Sequence, residues 1–236
     1  MRFGKIGAKQ MMYHWKNPYV TDGLVAWWDG ILSNKSNKWE NLIRQSPIED
    51  FSAPLLVGTL DVIPTGYRMT QATYANAFTA SHNLSGLNGL TIEVVTSGMT
   101  STNTFWPSFG FNADTSAYLR AFWRSDRYIA NPETADGYKT FGSGSLIGIN
   151  CFGGVWDGDS GVGKAINNGG SIYQFSFTPK TLNPPKNYKF YLMRYFVSGA
   201  TAGSGDIYCC RVYSRALTAD EIAANYAVDK ARFGLP

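Results

Sequence analysis

The stretch AYLRAFWR, Ala117 to Arg124, holds the side chains best suited to surface chemistry. If it is a strand, alternation sends Tyr118, Arg120, Phe122 and Arg124 to one face and Leu119, Ala121 and Trp123 to the other. The first face combines aromatic planes with guanidinium forks, groups that stack on sugar rings and donate to hydroxyls or carboxylates. The second face reads as core. The first face fits an ordinary solvated sheet surface or a subunit contact just as well, and Trp106 and Trp156 are open to the same two readings. Trp106 joins the four as a candidate ligand contact.

In WDGDSG, Asp157 and Asp159 put two hard oxygen ligands on one turn, where carbonyls around the glycines would add more for calcium. Asp-Gly is also the ordinary composition of a hairpin turn, and no full ligand loop with a closing glutamate is present, so the turn reading is the stronger. Calcium is the one cofactor these residues suggest.

Catalysis finds less support. Glycoside hydrolysis needs two carboxylates facing each other, about 5–5.5 Å apart for retention of configuration. The chain has five glutamates, and Glu93, in a strand-like run, has no carboxylate two or three positions away. His14 and His82 are the only histidines, no G-x-S-x-G elbow occurs, and no His/Cys/Asp cluster has metal spacing. Cys151, Cys209 and Cys210 do not suggest a disulfide framework, since the adjacent pair points to opposite faces of a strand. The chain is expected not to be an enzyme.

The elements around these residues are mostly strands. GLVAWWDG closes on Asp29-Gly30, and LTIEVVT places Ile92 and Val94 on one face and Thr91, Glu93 and Val95 on the other. Asp157-Gly158 and Asn168-Gly169 mark two successive hairpins, because these residues tolerate the backbone that tight turns require. NYKFYLMRYF and IYCCRVY are further strands. After the last, Thr218 and Glu221 have capping-box spacing, Leu217 and Ile222 form a hydrophobic staple, and a helix is predicted to run to about Arg232 and stop at Gly234.

Charged residues make up 16% of the 236, against roughly 25% in typical domains. With 15% aromatics and 25 glycines, that balance favours strands and tight turns over exposed helices. The net charge of +4 is too mild and scattered to suggest nucleic acid or anionic lipid as a partner. The N-terminal residues lack the apolar run of a secretory signal, and no stretch reaches membrane-spanning length. The predicted fold is all-β, an antiparallel two-sheet sandwich with one short C-terminal helix, which the resemblance below makes a jelly roll. Residues 1–19 form an N-terminal attachment segment and residues 20–236 the domain.

DGLVAWWDG, VWDGDSGVGKAINNGG and GDIYCCRVYSRALTADEIAANY together resemble the laminin-G-like, concanavalin A-like jelly rolls, over about residues 20 to 230. The third motif is the specific one. The ending AVDKARFGLP resembles laminin-G-like proteins encoded by phages and prophages of gut bacteria. Two features depart from the family: Ser214 stands where Asn is usual, and KWENLIRQ replaces a W-x-D-L-S-G-N-G turn. The second puts any ion or ligand contact of that turn in doubt. The E-x-D-x-x-E array of laminarinase-like relatives is absent. The family pattern implies that Cys210, Val212 and Ser214 point inward and Cys209 outward, with the helix covering an exposed edge or rim. It also implies a non-catalytic module of a virion that binds a glycan or host-surface molecule and contacts other virion proteins, with homo-oligomers possible. A purely structural virion decoration and an atypical glycoside hydrolase are the alternatives.

Overall fold

The computed structural model describes residues 17–35, 38–52, 60–69, 72–73, 78–98, 108–112, 117–124, 127–131, 139–141, 149–184, 186–187, 189–194, 201–202 and 205–236. In chain order the first strands are β1 (Leu24–Asp29), β2 (Asn34–Lys35), β3 (Lys38–Trp39), β4 (Phe51–Ser52), β5 (Leu60–Ile63), β6 (Gly66–Met69), β7 (Ala72–Thr73), β8 (Phe78–Ala80), β9 (Gly89–Ser97) and β10 (Ser108–Asn112). There follow β11 (Ala117–Arg124), β12 (Arg127–Asn131), β13 (Lys139–Phe141), β14 (Ile149–Asp157), β15 (Val162–Asn167), β16 (Gly170–Ser176), β17 (Lys189–Arg194), β18 (Thr201–Ala202) and β19 (Gly205–Tyr213). Helix α1 (Ala219–Phe233) closes the fold.

One sheet runs β16-β15-β14-β9-β19-β6-β5, with β1 also pairing β19. The second runs β13-β12-β11-β10-β17-β8-β4-β3-β2, and β7 pairs β18 separately. Every pairing within the two sheets is antiparallel, as the alternating patterns and hairpin signals require. Both predicted hairpins form: β14 to β15 across Asp157–Gly161, and β15 to β16 across Asn168 (φ 48°) and Gly169 (φ 81°). Adjacent positive φ values are what a two-residue turn needs to follow the strand twist.

The inner faces bury an aromatic core. The Trp28 ring lies 4.1 Å from that of Phe51 and 5.7 Å from that of Phe190, and Trp39 meets Phe51, Tyr67 and Phe78. Ile92, Val94, Cys210 and Val212 complete it from the sheet that carries Trp28, on the face that alternation assigns to them.

Helix α1 begins as its sequence dictates. Thr218 Oγ1 accepts from the Glu221 backbone N–H at 3.3 Å, and a Glu221 carboxylate oxygen accepts from the Thr218 N–H at 2.9 Å. Arg215 pairs with the same carboxylate and, as the leading cause, holds it well below the usual range, at about 2. Gly234, at φ 71°, ends the helix. Replacing Thr218 by alanine should cost about 0.5–2 kcal/mol, read as a lower urea midpoint. An unchanged midpoint would remove the cap from the account.

The helix reaches the edge strand β16, as the sequence suggests, and covers more than an edge. It lies across the outer face of the first sheet, touching β14 and β16. That placement corrects two expectations. Cys209 does alternate with Cys210, yet its face is sealed by the helix side, so both thiols are fully buried. Ser214 lies beyond the end of β19 and donates to the Gly23 carbonyl instead of entering the core. Tyr19, the last residue of the expected attachment segment, is itself buried, with its ring edge-on to Trp27.

Candidate functional site

β11 is a strand in the interior of the second sheet, paired with β10 and β12. Arg120 pairs Gly110 and Asn131, Phe122 pairs Ser108 and Ile129, and Arg124 pairs Arg127, so these three positions follow strict alternation. Tyr118 pairs Phe111 across a register shift between Gly110 and Phe111, which leaves Leu119 as an extra residue. The shift interrupts the alternation that would put Tyr118 in one row with the other three. The side chains of β11, and Trp106 as a whole, lie outside the described residues. Trp156 is fully buried in the core.

At the WDGDSG turn, Asp157 Oδ1 accepts from the backbone N–H groups of Asp159 (3.1 Å) and Ser160 (3.2 Å), while Oδ2 accepts from the Ser160 hydroxyl at 2.6 Å. Burial raises the Asp157 pKa, but these hydrogen bonds together outweigh it and leave a net lowering. Both oxygens therefore serve the turn itself. Among the described residues no group of three or more His, Cys, Asp or Glu side chains could hold a metal ion.

The largest concentration of charge, unforeseen from sequence, lies between the first sheet and α1. Arg211 on β19 is 0% exposed, donates from Nε to Glu93 Oε2 at 3.0 Å, and grips Asp229 of α1 with both terminal nitrogens at 2.7 and 2.5 Å. Asn225 donates to Glu93 at 2.8 Å and to the Tyr213 hydroxyl at 2.9 Å, and accepts from the Val20 N–H at 2.9 Å. The Tyr19 hydroxyl donates to Asp229 at 2.8 Å, and its ring centroid stands 4.1 Å from the Arg211 guanidinium carbon. Arg232 bridges Tyr19 and Asp29, and Asp29 in turn accepts from the N–H groups of Ile31 and Leu32 to start a helical turn. Burial pushes the Glu93 carboxyl up, opposed by Arg211. Glu93 and Asp229 are thus a carboxylate pair, but a guanidinium sits between them and neither is open to solvent. The arrangement fastens a helix to a sheet and offers no acid or base to a substrate.

Two concave features open on the described surface. An apolar groove of about 520 Å³ runs between Pro18, Trp27, Leu32, Val228 and Arg232, and a cleft of mixed polar and apolar lining, about 590 Å³, lies at the loop between β3 and β4. Both volumes fall in the range of small-molecule sites, roughly 300–1,000 Å³.

No model of a known protein family matches the sequence, and no curated protein does. Solved structures share the sandwich. Trypanosoma rangeli sialidase in complex with sialic acid superposes with a TM-score of 0.66 at 14% identity, over 92% of this chain and 34% of the sialidase. A botulinum neurotoxin type C structure, concerned with interaction with two ganglioside molecules, gives 0.64 at 11% identity, over 87% of this chain and 51% of the toxin chain. The ligand-binding domain of botulinum neurotoxin serotype D, in complex with N-acetylneuraminic acid, gives 0.65 at 10% identity, over 89% and 52%. The chain spans about a third of the sialidase and half of the toxin chains. At these identities the likeness is one of fold. Among the described residues no helix is long and apolar enough to cross a membrane.

Proposed function

We propose that the chain is a non-catalytic binding module that recognises a glycan or host-surface molecule as a component of a phage or prophage virion. The observation that carries the reading is its agreement in fold, over almost nine-tenths of its length, with toxin domains whose structures concern gangliosides and N-acetylneuraminic acid. The sealed state of Glu93 and Asp229 supports a binding role over hydrolysis, which would need an acid pair open to its substrate. The resemblance of AVDKARFGLP to phage-encoded proteins supports the virion setting.

The ligand face is assigned to β11, through Arg120, Phe122 and Arg124. A shallow sheet face gives weak single contacts that multivalent display strengthens. Arg120→Ala and Phe122→Ala should each lower binding on a glycan array that includes acidic glycans by roughly tenfold, the loss of about one charged hydrogen bond or one stacking contact. If the ligand face is open to solvent, as the proposal requires, the melting temperature should barely move, since surface substitutions change stability little. Absence of any glycan signal for the wild type, combined with failure of these variants in a particle-assembly assay, would replace recognition with a purely structural virion role. Release of sugar from a bound glycan would restore the hydrolase alternative.

A further inference from the structure

The construction of the loop Glu40–Asp50 separates supporting groups from presented ones. It lies against the open edge of β1, where Leu42 N–H donates to the Trp27 carbonyl at 2.8 Å. Asn41 is its anchor. Its carbonyl oxygen accepts from the N–H groups of Trp27 (3.0 Å) and Ile43 (3.1 Å), and its amide donates to Ser46 (2.9 Å) and to the Ile48 carbonyl (2.8 Å). Ser46 also donates to the Val25 carbonyl and accepts from the Ile48 N–H, and Asp50 accepts from the Asn41 N–H at 2.6 Å and pairs with Lys38. With those groups committed, the cleft presents Gln45 and Glu49, both exposed, together with the outer part of Lys38 and the apolar side of Ile43.

Gln45 is one of two non-glycine residues with positive φ among the described residues, at 53°. Asn168, the other, sits in a hairpin turn of the kind that favours Asn. Glutamine has no such affinity for the left-handed region, so a residue with a long amide is held at a position where glycine would be easier. Strain of this kind persists where the surrounding structure fixes it and the side chain is needed.

We propose that this cleft is a subsite for a neutral, hydroxyl-rich glycan, with Gln45 and Glu49 as its contact residues; the proposal rests on the glycan-binding reading above. An amide and a carboxylate at the cleft mouth accept and donate to vicinal hydroxyls, and Ile43 offers an apolar surface to the C–H side of a sugar ring. Charge selects the class. Lys38 contributes +1 and Glu49 and Asp50 contribute −2, a net −1 that repels carboxylated sugars.

The experiment is titration calorimetry of the full chain with galactose-, glucose- and mannose-terminated oligosaccharides and their sialylated counterparts. The wild type is expected to bind one neutral series and to bind its sialylated form more weakly. Gln45→Gly and Glu49→Ala should each weaken that binding at least tenfold, and Gln45→Gly should keep or raise the melting temperature, because it relieves the left-handed backbone without disturbing the Asn41 scaffold. Binding retained in both loop variants but lost in Arg120→Ala and Phe122→Ala would overturn the subsite while leaving glycan recognition standing. A preference for the sialylated series would overturn the neutral class. No binding of any series by the wild type would overturn the subsite and the glycan-binding reading together.

Discussion

Replacing Arg211 by alanine should lower the unfolding free energy by about 3–5 kcal/mol, the loss expected when one member of a buried ion pair is removed and its partners are left charged in the interior. The wild-type side chain is wholly enclosed and joins Glu93 of β9 to Asp229 of α1. Without it, two carboxylates face each other beneath the helix with only Asn225 and Tyr19 to bond them. Urea unfolding followed by far-UV circular dichroism measures the change, and a loss below about 1 kcal/mol would show that the network contributes position and little stability. A companion variant sharpens the result. Arg211→Met combined with Glu93→Leu and Asp229→Leu should recover much of the loss, since an apolar replacement of similar volume removes the desolvation penalty together with the attraction.

The second large effect is expected at Trp28. Its indole stacks on Phe51 and Phe190 of the opposite sheet and is fully buried, and its Nε1 has no hydrogen-bond partner, so its contribution is packing alone. Trp28→Ala should cost about 3–5 kcal/mol, a transfer loss plus a cavity between the sheets. Trp28→Phe should cost clearly less, because a ring still fills most of the space. Equal losses for the two variants in thermal unfolding would mean that the stack is not what holds the sheets together.

The same two residues show what could be read from the sequence and what could not. GLVAWWDG and LTIEVVT announce strands because their side chains alternate, and DG and NG announce turns because their backbone can adopt positive φ; these signals are local, and the structure follows them. The helix cap was legible for the same reason. The charge network was not, because its members are separated by up to 213 residues in the chain. A trace of it was nonetheless present. Glu93 is the one charge in β9 and Arg211 the one charge in the run Ile207–Tyr213, and a strand buried on both faces can carry such a charge only if another element brings a partner. The register shift opposite Leu119 left no trace at all. It depends on how β10 meets β11, and no pattern within AYLRAFWR reports that pairing.

The position of β19 bears on how the protein is made. This last strand lies inside its sheet, with β9 along one edge and β1 and β6 sharing the other. Until it leaves the ribosome, three earlier strands wait with an unmatched edge, and the nascent chain must stay soluble in that state. A chain cut short before Gly205 would yield no smaller version of the domain, only open sheet edges prone to pair with other chains. The non-local pairing also makes closure of the first sheet a slow, late event. Production in quantity should therefore depend less on the stability of the finished molecule than on the time its unfinished form spends unprotected.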